Sequence, residues 1–85
     1  MGTPSTMDYS EEQYLAELCR NIKRIRKTKG LTQRQVADHC EMEESGYRRI
    51  ENGGTNPTFK TLVKISKALG IEIVELMDFP KLMES

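Results

Sequence analysis

The sequence predicts an all-α fold of five helices in one small domain. Three observations carry this prediction. Apolar residues recur at helical spacing, most clearly Leu15, Leu18, Ile22 and Ile25. Helix-start residues precede such runs, and glycines follow them. No segment shows the period-two alternation of a half-buried strand. A chain of 85 residues buries only a modest core. The expected organisation is a flexible segment at 1–9, one domain at 10–79, and a short tail at 80–85 available for a dimer interface.

The opening MGTPSTMDY is polar, holds Gly2 and Pro4 and has no period, which predicts flexibility. Ser10 starts the first helix, and Gln13 completes a capping box, in which each side chain bonds the other's backbone N–H. Gly30 stops this helix. Thr32 and Gln35 form a second capping box, and Leu31 can pack on Val36 as a hydrophobic staple. This second helix is short and loses its period near Cys40. A third helix runs from about Glu44 to Asn52, with Tyr47 and Ile50 inward, and Gly53-Gly54 ends it. Thr58 caps the fourth, whose inner stripe is Leu62, Ile65, Ala68 and Leu69, and Gly70 ends it. A fifth, short helix runs from Ile71 to about Met77.

The formal net charge is zero, but its distribution is uneven. Residues 20–67 hold twelve bases against five acids, a net of +7, between acidic ends of −4 and −3. A basic middle of this kind is a local footprint for a polyanion. Cys19 and Cys40 lack metal-ligand spacing and are expected as buried thiols. No metal site, cofactor or catalytic residue is expected. His39 is the only histidine, and no nucleophile–base pair or phosphate-binding glycine loop is present, so the chain does not read as an enzyme. No apolar run approaches the roughly 20 residues of a membrane span, and no signal peptide is visible, so the expected compartment is the cytoplasm.

The stretch GLTQRQVADHCEMEESGYRRIENG joins two short helices by a tight turn, the geometry of a helix-turn-helix. With IKRIRKTKGLTQRQVA, RRIENG, NPTFKTLVKISKALGI and VELMDF in order, the chain from Leu18 to Phe79 resembles the Cro/C1-type (Xre-family) helix-turn-helix regulators. The resemblance covers about 62 of the 85 residues. It implies a five-helix lambda-repressor-like fold with the motif in helices two and three. It also implies a sequence-specific DNA-binding transcriptional regulator, a repressor or autoregulator, acting as a homodimer on a palindromic double-stranded operator. An antitoxin-like member would also have a protein partner.

The start of helix two, at Thr32 and Gln33, offers backbone N–H groups to a phosphate. The resemblance assigns Gln33 a backbone contact and extends phosphate binding to Asn52, Thr55 and Lys60. On the third helix, Glu44, Ser45, Arg48 and Arg49 share the outward side and are the candidate base readers. The competing reading is a solvated face with Glu44 paired to Arg48. Arg26 and Glu51 stand on two inner faces and are expected to form a buried ion pair that orients the third helix, a pair the resemblance also implies.

The chain departs from the family pattern in four places. Glu41 replaces a turn glycine, where a left-handed residue would cost about 1 kcal/mol, so a turn of different shape is expected. Glu43 replaces a Ser or Thr N-cap and is assigned to capping. Glu44 is an acid at the front of the reading helix, and Gly46 leaves room there for a close approach. These acids, with no cation at Gly54 and Thr55, motivate an alternative: a protein-interaction module that keeps the fold without strong DNA binding. Finally, Ile73, Leu76, Met77, Phe79, Leu82 and Met83, together with Tyr9, Tyr14 and Leu15, exceed what so small a core can bury. The surplus predicts an interface, or local packing of the tail on helices one and five.

Overall fold

A computed structural model describes residues 10–78 of the chain. Among them all regular structure is helical: α1 (Glu11–Thr28), α2 (Gln33–His39), α3 (Glu44–Glu51), α4 (Phe59–Leu69) and α5 (Ile73–Leu76). The expected all-α architecture is therefore observed. Tyr9, Phe79, Leu82 and Met83, the flexible segment 1–9 and the tail 80–85 lie outside the described residues.

Both capping boxes form. The Ser10 hydroxyl accepts from the Gln13 N–H, and the Gln13 side chain accepts from the Ser10 N–H at 2.7 Å. Thr32 and Gln35 repeat the exchange at 3.0 and 2.8 Å. Each box satisfies two of the N–H groups that a helix start leaves orphaned. Gly30 and Gly70 are both left-handed, which lets the chain leave α1 and α4 without a Cβ penalty. The N–H of Ile71 then returns to the Ser66 carbonyl at 3.0 Å. That bond spends Ile71 on closing α4, so α5 begins at Ile73, two residues later than its sequence pattern suggests.

Side chains from every helix meet in one core. Leu18 and Ile22 of α1 lie with Val36 and Ala37 of α2, Tyr47 and Ile50 of α3, Leu62, Ile65 and Leu69 of α4, and Leu76 of α5. Removing such a side chain from water contributes about 1.5–3 kcal/mol each. Leu31 is partly buried against this cluster, of which Val36 is a member. Ala37 is fully buried, and α2 packs directly against α3. A side chain that small lets the two helices of the motif approach closely. Cys19 and Cys40 are free and buried, and burial raises both thiol pKa values.

One contact with no signal in the sequence secures α5. Asn21 of α1 is buried, and its amide nitrogen donates to the carbonyls of Leu76 at 2.7 Å and Glu75 at 3.3 Å. Both carbonyls stand at the end of a four-residue helix, and that of Glu75 also accepts from the Asp78 N–H at 3.3 Å.

Two details of the turn before α3 differ from expectation. Glu41 has φ +58, so the turn keeps its left-handed shape and a glutamate carries the strain. Glu43 occupies the N-cap, but its side chain makes no capping hydrogen bond. The residues that usually cap their own helix start, Ser, Thr, Asp and Asn, have shorter side chains.

Candidate nucleic-acid interface

The outward side of α3 depends on what grips its inner side. Tyr47, Ile50 and Glu51 are buried there, one helical turn apart. Glu51 accepts from Arg26 of α1 in a forked pair, Nε at 2.6 Å and Nη2 at 3.1 Å. The Tyr47 hydroxyl donates to the same carboxylate, and Gln33 Nε2 donates to it at 3.0 Å. Arg26 is completed by the Leu31 carbonyl, 2.8 Å from Nη1. The cluster therefore ties α3 to α1 and to the start of α2. No buried side-chain polar atom among the described residues lacks a partner.

The electrostatics follow from this geometry. Burial opposes ionisation of Glu51, but the hydrogen bonds from Arg26, Tyr47 and Gln33 outweigh it and hold the carboxyl below its usual range. The bond to Glu51 raises the Arg26 pKa further. Burial, then the bond to Glu51, raises the Tyr47 phenol, which stays a donor.

Facing the other way, Ser45, Arg48, Arg49 and Asn52 are exposed and Glu44 is half-buried. Arg48 Nη2 pairs with Glu44 at 3.1 Å, and Arg48 Nε lies 3.4 Å from the Gln33 side-chain oxygen. Arg49 makes no ion pair among the described residues. It lines a cleft of about 280 Å³ with Met42, Gly46, Thr55 and Thr58, between α3 and the loop to α4. Gly46 faces this open space: a Cβ added there would meet only the Met42 side chain, at 3.9 Å.

The structure therefore gathers some of the predicted contact residues and separates others. Thr32, Gln33, Glu44 and Arg48 cluster where α2 begins, while Arg49 and Thr55 share the cleft. Asn52 lines a second cleft of about 360 Å³, on the α1 side, with Cys19 and Arg20. Lys60 is exposed in the first turn of α4. The Gln33 amide is engaged within the protein on both sides. The Thr32 hydroxyl is spent on its capping box. Sequence reasoning missed Tyr47 and Gln33 as members of the Glu51 cluster. The Tyr47–Glu51 spacing of four residues was a usable signal, whereas nothing in the sequence marked Gln33.

Comparison with known proteins agrees with this geometry. The model of a helix-turn-helix family matches residues 22–76. The uncharacterized HTH-type transcriptional regulator y4dJ of Sinorhizobium fredii is 39% identical over 57 residues, 67% of this chain and 74% of that protein. The uncharacterized HTH-type regulator YqaE of Bacillus subtilis is 37% identical over 57 residues, which span 67% of this chain and only about half, 49%, of the relative. Among solved structures, the restriction-modification controller protein C.Esp1396I superimposes with a TM-score of 0.73 at 28% identity, over 91% of this chain and 97% of that one.

Proposed function

Because this chain belongs to the Cro/C1-type helix-turn-helix family, we propose that it regulates transcription by binding one operator sequence through α3, as a homodimer on palindromic DNA. One observation carries the reading. A short helix is locked from behind by a buried, fully bonded cluster, and it presents Arg48 outward beside the start of α2 and Arg49 outward at the cleft toward the loop to α4. Rigid presentation of a few side chains is what base readout in the major groove requires. Arg49 is the reader of a guanine edge, and Ser45 is a second base contact. Thr32, Asn52, Thr55 and Lys60 lie at the phosphates, with Gln33 contributing through its backbone N–H. Two copies would place their α3 helices in successive major grooves about 34 Å apart. The protein acts in the cytoplasm, on the DNA there.

Selection of bound sequences from a pool of random duplexes tests the reading. A palindromic consensus is expected. Arg49→Ala is expected to lower affinity for the selected site by about 1–3 kcal/mol and relax one base position. The exposed acids Glu41 and Glu43 favour the second reading, a protein-interaction module without strong DNA binding. Absence of salt-dependent retention on duplex DNA would decide for it.

A further inference from the structure

The acids at the front of α3 stand in an unfavourable place for a helix that approaches a polyanion. Glu44 is paired with Arg48, and both side chains are open to solvent, at 39% and 49%. Behind them Arg48 also reaches the Gln33 oxygen, at 3.4 Å, and Gln33 donates to the buried Glu51 at 3.0 Å. The pair is thus the outer end of a chain of contacts whose inner end is fixed. A solvent-screened pair is weakly held, so its two members exchange partners easily.

A duplex laid on this face removes the water, and each member then needs a partner. Arg48 finds one in any sequence, because phosphates are everywhere. Glu44 does not. It is repelled by phosphate, by guanine O6 and N7 and by thymine O4. Only an exocyclic amine suits a carboxylate. In adenine the N7 acceptor stands beside that amine and faces the second carboxylate oxygen, whereas cytosine presents no acceptor there. We propose that Glu44 and Arg48 are exchange partners: paired in the free protein, they separate on the operator, where Glu44 accepts from a cytosine N4 and Arg48 donates to a backbone phosphate. Glu44 thereby selects a cytosine in each half-site and penalises duplexes that lack it. On such duplexes Arg48 stays on Glu44 and one phosphate contact is forgone. This rests on the DNA-binding reading above and assigns its specificity.

The test compares sequences selected from random duplexes by the wild-type chain, Glu44→Gln and Glu44→Ala, with circular dichroism confirming the fold of each. The wild type is expected to fix a cytosine that Glu44→Gln replaces by adenine, since a glutamine amide matches N6 and N7 together. Glu44→Ala should accept any base there, and all other positions should be unchanged. On a random duplex, Glu44→Gln frees Arg48, so the slope of log affinity against log salt should steepen by about 0.9, one added phosphate. Selection of the same base by the wild type and Glu44→Gln, or an unchanged salt slope, overturns the exchange and leaves the regulator reading standing. If the wild type enriches no sequence, the DNA-binding reading falls and the exchange with it.

Discussion

The Glu51 carboxylate takes hydrogen bonds from Arg26, Gln33 and Tyr47, and its side chain has no solvent exposure. Removing Arg26 leaves a buried charge held only by neutral donors, and removing Glu51 leaves a cation with 9% exposure. Each single loss should cost on the order of 3–5 kcal/mol. Arg26→Met with Glu51→Leu removes both charges, so the double variant should be more stable than the two losses added, by roughly 1–3 kcal/mol. Urea titrations of the four proteins measure this, and additive losses would refute the coupling. The same group sets an acid limit. Its carboxyl is depressed in the folded state, so its contribution is complete above the unfolded value of about 4.3 and is lost as pH falls through the folded one. Stability should therefore drop below about pH 4 in the wild type and drop less in the double variant.

At the scale of elements, the joints matter more than the helices. Glu41 sits in the left-handed region at φ +58. Glu41→Gly should relieve about 1 kcal/mol of strain, partly offset by the greater freedom of glycine when unfolded. A melting temperature higher by a few degrees is expected, and a lower one would show that the glutamate carries a stabilising contact. Asn21 is a second joint, because its amide holds the last carbonyls of α5. Asn21→Asp turns a donor into a carboxylate facing those carbonyls and should cost more than Asn21→Ala, itself about 1–3 kcal/mol. Amide exchange in α5 should accelerate before that in α3. Equal tolerance of Asp and Asn would remove the clamp. The helix starts were legible because a capping box is written within four residues. The late start of α5 was not, because it depends on how Ile71 closes α4.

For the whole molecule, the surplus of apolar surface is the open account. Val74 is 67% exposed and Met77 45%, both at α5, while Leu76 between them is fully buried. A domain that exposes such a patch gains by covering it with a second copy. Val74→Glu with Met77→Glu should leave the fold intact, shift sedimentation to the monomer, and weaken operator binding with it. An unchanged dimer would move the interface to another face, such as the exposed Phe59 of α4. No described helix is long and apolar enough to cross a membrane, so the patch is not read as a span.

The amino-acid sequence by itself determined the all-α class, the five helices, the caps at Ser10, Thr32 and Thr58, and the apolar stripes that meet in the core. It also marked Arg26 and Glu51 as partners, because opposite charges on two inner stripes have little else to meet. All these signals are local, or repeat with the helical period. The tertiary structure alone decided that Gln33 joins Glu51 across 18 residues and that Asn21 grips α5 across 55. It alone divided the outward residues between the α2 corner, the Arg49 cleft and the α1 side. A polar side chain shows nothing in sequence about which distant backbone or carboxylate it will face. That partner exists only once helices packed by their apolar stripes have fixed the distances between them.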